Sequence, residues 1–272
     1  MIRKYENVVV LISHEHIDHM DPIVFSWKDL TNVSYVVSSD MPVGTRGKRM
    51  APGDTYSPVE GVDITAFDST DLGVSYLVDF QGIRFFHAGD LNFWHWREES
   101  TMKEIEEADT EFRKAVAPIC REKIDVAFFP LDPRQGAMFE AGANFFILSV
   151  KPRIMIPMHY FHRNDVAVEY SRTASSRATE VIAMPRYGDQ LSMETDEEGY
   201  LNVRYLPREE KPAVAAEEND PEEEVYVPQE TDEDFAIMES EVEPENELDE
   251  NNPFAETDLP ITLLSEESEE NT

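Results

Sequence analysis

Apolar residues in this chain cluster into short runs separated by polar and glycine-rich stretches. Runs of four to eight residues rich in Val, Ile, Phe and Tyr predict strands at 8–12, 33–38, 62–67, 74–80, 83–88, 126–130 and 153–158. Segments with apolar residues three or four apart predict helices at 22–27, 101–121, 136–150 and 173–184. In the second of these, Ile105, Ala108, Phe112 and Val116 fall on one face. Cys120, which follows that face, reads as a packing residue and not a nucleophile. Gly82, between two apolar runs, predicts a hairpin turn that delivers Asp90 to the end of a strand. Helices interrupt the strands only at intervals. That order suits two mixed sheets flanked by helices better than a repeated strand–helix–strand unit, and no internal repeat is seen.

The polar residues directly after the first apolar run change the picture. His14, Glu15, His16, Ile17, Asp18 and His19 follow Val8-Val9-Val10-Leu11-Ile12 without a gap. Imidazole and carboxylate are the side chains that bind borderline divalent ions such as zinc, and four of them, His14, His16, Asp18 and His19, stand within six positions in the pattern H-x-H-x-D-H. A strand end is a rigid base with one open side. His14 and His16, two apart, project together there. Asp18 and His19 fall past the turn and can face a second ion.

On these residues the chain resembles the metallo-β-lactamase superfamily, from about Val8 to about Met193. Phe86-His87-Ala88-Gly89-Asp90 is similar to the superfamily's segment supplying a bridging aspartate, and Ile154-Met155-Ile156-Pro157-Met158-His159 to the strand supplying its last histidine. The H-A-G-D wording and Trp94-His95-Trp96 most resemble the branch that includes ascorbate-6-phosphate lactonases. The resemblance implies an α/β fold, a four-layer αββα sandwich with a metal site at the edge between two sheets. It also implies roles: Asp18, His19, Asp90 and His159 match the second-metal set, with Asp90 bridging, and His14 and His16 match the first-metal set. The first set's usual third histidine has no counterpart, because no histidine occurs between Met20 and Phe86. Asp68-Ser69-Thr70-Asp71-Leu72-Gly73 lies where that ligand belongs, so Asp68 or Asp71 is a candidate substitute; the alternative is that both only shape a turn. A carboxylate there hardens the site and shifts preference toward Mn2+ or Fe2+, although Zn2+ still accepts oxygen ligands. Members of that branch carry two or three strands before the first histidine motif, and here only residues 1–7 precede it. Two expectations stand: an N-terminally shortened form, whose exposed sheet edge favours association with a second copy, or a naturally short one.

Composition divides the chain into two. Acidic residues number 57 against 23 basic, and residues 207–272 hold 25 of the former and only 2 of the latter. That leaves a net charge of −11 on residues 1–206, read as the hydrolase domain, and −23 on the remainder, read as a disordered acidic tail. Two apolar islands in the tail, at 235–238 and 259–264, suit docking on a protein partner; a purely solvating tail is the alternative. A single cysteine excludes an internal disulfide and suits the cytoplasm. No apolar run reaches the roughly 18–20 residues that span a bilayer. Strong negative charge argues against nucleic acid, which recruits basic surfaces.

The expected reaction is hydrolysis of a small ester, lactone or phosphodiester by a hydroxide that one or two Zn2+ ions generate from water. Asp18 and Asp90 are expected to orient it and assist proton transfer. His162 is the first candidate to protonate the leaving group and His95 the second, the latter with a packed aromatic cluster as its alternative. His87 is expected to be structural. Arg134, in Leu131-Asp132-Pro133-Arg134, suits an anionic substrate group; a salt bridge to Asp132 is the alternative. A catalytically weak metal-binding protein that acts through its acidic tail is the competing function.

Overall fold

A computed structural model describes residues 2–96, 99–196 and 201–206; the acidic stretch read as a disordered tail lies outside the described residues. Three parallel strands, β1 (Asn7–Ile12), β2 (Asn32–Ser38) and β3 (Lys48–Met50), form one sheet in that order. The larger sheet has seven strands: β4 (Thr55–Val59), β5 (Val62–Phe67), β6 (Ser75–Phe80), β7 (Ile83–His87), β8 (Val126–Pro130), β9 (Ile154–Met158) and β10 (Glu180–Val181). Its spatial order runs β10-β9-β8-β7-β6-β5-β4. From β4 to β7 neighbours are antiparallel, and from β7 to β10 they are parallel.

Alternation along the strands of the larger sheet builds a core on each face. Tyr76 and Val78 of β6 point toward the small sheet and pack with Val36 and Met50, whereas Leu77, between them, points the other way. That second face carries Phe86 and Phe129 and is covered by α1 (Met102–Ile119) and α2 (Ala141–Val150). Helix α1 begins with a reciprocal capping box between Thr101 and Glu104, and buries Phe112, Ala115, Val116 and Ile119 at helical spacing. On the outer face of the small sheet, Val24 and Phe25 of a 3-10 helix, Pro22–Asp29, pack on Ile12 and Val37. Helical segment, sheet, sheet and helices thus form four layers. An antiparallel hairpin, β11 (Gln190–Thr195) and β12 (Leu201–Leu206), packs Leu191, Met193, Leu201 and Val203 against Val126, Ile154 and Ile156.

The fold is therefore mixed α/β, as expected, and the seven strands read from the sequence are present. The Gln81-Gly82 loop has φ of 53° and 81° and joins paired residues Phe80 and Ile83, the geometry of a two-residue hairpin turn. Several other expectations are corrected. The helix expected at 136–150 is broken: a 3-10 helix spans Pro133–Met138, and Gly136 (φ 74°, ψ −144°) interrupts it before α2. The helix expected at 173–184 does not form beyond Ala174; α3 runs Asn164–Ala174 and ends where that helix was expected to begin. Beyond it Ser176 Oγ accepts the N–H groups of Ala178 and Thr179, and Ser175 Oγ accepts that of Val181. Serines that capture backbone donors in this way compete with helix. Cys120 is exposed at the end of α1, and Ile119 takes the buried position.

Candidate metal centre

Four strand ends meet at one rim. Residues His14, His16, Asp18 and His19 follow β1, Asp90 follows β7, Asp132 follows β8 and His159 follows β9. Side-chain donors there come together in three groups, His14/His19/Asp90, Asp18/His19/His159 and His16/Asp71/Asp90, each with ligand atoms within 4.8 Å of one another.

Asp90 is the hinge of the arrangement. Its Oδ1 lies 2.9 Å from His19 Nε2 and 3.5 Å from His159 Nε2, and Asp18 Oδ2 stands 3.6 and 3.4 Å from those two nitrogens. Its Oδ2 faces the opposite way, 3.3 Å from His14 Nε2 and 3.9 Å from His16 Nδ1, themselves 3.0 Å apart. Donors bound to one zinc ion at bond lengths of about 2.0–2.1 Å stand about 3.3 Å from each other in a tetrahedral site. The observed separations bracket that value.

The fit to a divalent ion rests on a further observation. Asp90 Oδ1 and His159 Nε2 are buried and form no hydrogen bond among the described residues. Polar atoms left in that state cost about 1–3 kcal/mol each, more when charged. An ion between them removes that cost. Burial alone pushes the Asp90 carboxyl upward, but the adjacent His14 and His19 imidazoles and the charges of His19 and His159 hold it well below the usual carboxylate range. It stays an anion.

The surroundings orient the donors. Ser13 Oγ lies 3.0 Å from His14 Nδ1, and the Trp94 indole N–H donates to the Asp90 carbonyl at 2.8 Å. His159 adopts φ 63° and sets its Nδ1 3.2 Å from Asp132 Oδ2, so that Nε2 faces the cluster. Asp132 is fully buried and held by Arg134 through Nε and Nη2, at 3.0 and 2.7 Å. Burial raises the Asp132 carboxyl, and His159 and Arg134 outweigh it, leaving it at about 2. A carboxylate behind a ligating imidazole fixes its tautomer and raises its basicity, and losing such a partner costs about 10–100-fold in metal affinity. Asp132→Asn is expected to weaken metal binding within that range, measured by competition with a chromophoric chelator, while the chain stays folded.

The remaining expected residues fall outside the three groups. Asp68 uses its carboxylate on the Ser69 N–H. His162 is exposed in the loop between β9 and α3. His95 is buried with its ring 4.4 Å from that of Phe93, beside the stacked Trp94 and Trp96. His87 accepts the Gly89 N–H at Nδ1, and burial, reinforced by His19, pushes it down to about 4. Arg134 makes the salt bridge to Asp132 that was the alternative for it. It still lines the cavity of about 400 Å3 above the cluster with Trp94, Trp96 and Asp71, its guanidinium 4.3 Å over the Phe161 ring. Sequence reasoning missed Asp132 as the partner of His159; its signal was its place one strand along, on the same rim.

No family model matches the chain. A UPF0173 metal-dependent hydrolase of Natranaerobius thermophilus is 26% identical over 164 residues, which are 56% of this chain and 64% of that protein. The chain thus spans a little under two thirds of that relative's length. Among solved structures, a Parabacteroides distasonis protein provisionally named a metal-dependent hydrolase superposes with a TM-score of 0.50 at 19% identity, covering 68% of this chain and 80% of its own. The two share a fold. The metallo-β-lactamase fold protein YhfI of Bacillus subtilis aligns at 13% identity and a TM-score of 0.44, over 72% of this chain and 77% of its own.

Proposed function

We propose that this chain is a metal-dependent hydrolase of the metallo-β-lactamase type, acting on a small ester, lactone or phosphodiester. The observation that carries the reading is the pair of buried, unsatisfied atoms, Asp90 Oδ1 and His159 Nε2, facing Asp18 and His19 across ligand-like distances. The named activity of the Natranaerobius relative agrees with it. His14 and His16 would hold one ion, Asp18, His19 and His159 the other, and Asp90 both. Divalent ions held there supply Lewis acidity and an acidified water at neutral pH. The chain's own residues do the rest. Asp18, with its carboxylate 43% exposed at the open side, would orient a water there and accept its proton. Arg134, locked by Asp132, and the Trp94–Trp96 stack form the wall against which an anionic substrate with an apolar leaving group packs. Zn2+ is the ion this donor set suits first, with Mn2+ and Fe2+ as competitors. No helix among the described residues is long and apolar enough to cross a membrane.

The test is hydrolysis of a bis-aryl phosphodiester and of a simple lactone by the full chain, first stripped with chelator and then resupplied with Zn2+ or Mn2+. Turnover that disappears and returns supports the reading; turnover that is indifferent to the metal contradicts it.

A further inference from the structure

The first metal position has two imidazoles on its protein side, and the loop that follows β5 passes directly over it. We propose that Asp71 completes this position, giving it His14, His16, Asp71 and the bridging Asp90 as ligands. The resulting site of two imidazoles and two carboxylates accepts Mn2+ or Fe2+ against Zn2+ more readily than a site with a third imidazole would. The inference rests on the dinuclear reading above.

Three features support it. Ligand atoms of His16, Asp71 and Asp90 lie within 4.8 Å of one another, whereas Asp68 belongs to no such group among the described residues. The loop carrying Asp71 is clamped at both ends. Thr70 donates its hydroxyl to the Asn92 carbonyl and accepts the Asn92 N–H, tying the loop to the segment that carries Asp90. On the other side the Gly73 N–H donates to Asp40 at 2.8 Å and the Val74 N–H to the Ser13 carbonyl at 3.2 Å. Gly73 has φ 82°, and a Cβ there would sit 1.9 Å from the Ser13 oxygen, so only glycine lets the loop lie this close to His14. Between the clamps Asp71 Oδ1 accepts the Leu72 N–H at 2.8 Å, which orients the carboxylate. The third feature is Asp90 itself, its side chain 5% exposed and its Oδ2 aimed at His14 and His16.

The metal preference follows from ligand hardness. Exchanging an imidazole for a carboxylate adds a negative charge and a hard oxygen donor, which favours Mn2+ over a softer ion relative to the imidazole version of the same site. Zn2+ remains the tighter binder in absolute terms; what changes is the ratio.

The experiment titrates the chelator-stripped full chain with Mn2+, reading free Mn2+ by electron paramagnetic resonance, and repeats the titration with Zn2+ in competition. Wild type is expected to bind two Mn2+ and Asp71→Asn one. Asp71→His is expected to bind two Zn2+ with a Zn2+-to-Mn2+ preference at least about tenfold above wild type. Two Mn2+ at unchanged affinity in Asp71→Asn would overturn the inference and leave the dinuclear reading standing. The same holds if Asp68→Asn, and not Asp71→Asn, loses an ion. Fewer than two ions in wild type would remove both. Asp71 is exposed, so these variants are expected to fold.

Discussion

Asp90→Asn lowers metal-dependent hydrolysis by at least about 10^3-fold, on the order of 4 kcal/mol of lost barrier reduction. The expectation follows from the two-sided use of this carboxylate. Oδ1 faces His19 and His159, Oδ2 faces His14 and His16, and no other described carboxylate reaches both pairs at these distances. Asparagine preserves shape but removes the charge that balances four neighbouring imidazoles, and its amide nitrogen presents donors where an ion needs lone pairs. Metal content should fall together with turnover, which distinguishes loss of the centre from damage to a substrate contact. Turnover within tenfold of wild type would show that Asp90 is not the bridge.

Phe146→Ala is expected to cost about 3–5 kcal/mol of stability, read as a lower denaturation midpoint in urea. Phe146 of α2 is fully buried, its ring 4.4 Å from Phe129 and 5.4 Å from Phe86, so truncation opens a cavity among stacked rings that cannot easily collapse. The same helix supports the metal rim at one remove. Gly142 of α2 packs so tightly on Asn92 that a Cβ would lie 2.0 Å from its Oδ1, and Asn92 also donates to Gln135 and engages Thr70. Weakening α2 therefore reaches the loop that carries Asp71. A loss below about 1 kcal/mol would mean that this aromatic stack is not a main support of the larger sheet.

Much of the architecture was legible because its signals are local. The runs that became β1, β2 and β5 to β9 are short, β-branched or aromatic, and bounded by turn residues. His14 to His19 announced themselves by sitting together at the end of one such run. What escaped depended on contacts distant in sequence. β3 has three residues and β4 carries Pro58 at the sheet edge, so neither has a clear pattern of its own. The β11–β12 hairpin places half-buried residues over β8 and β9, and only that tertiary contact makes its weak alternation meaningful. The proposed preference for Asp71 over Asp68 rests on the path of a loop that Gly73 presses against Ser13, and the pairing of Asp132 with His159 on the adjacent ends of β8 and β9. Neither is visible in residue spacing. The helix expected at 173–184 failed for the opposite reason: a local competitor, serine capture of backbone N–H groups, outweighed an apolar pattern that had suggested a helix face.

The central claim is that the donors gathered around Asp90 hold two ions. Its most direct test is metal content per chain, by elemental analysis of the full chain purified without chelator and resupplied with Zn2+. Two ions per chain in wild type, falling to one or none in Asp90→Asn, is the predicted result. Wild type without bound metal, at protein concentrations where the chain is folded, would contradict the account and favour a metal-independent binding protein.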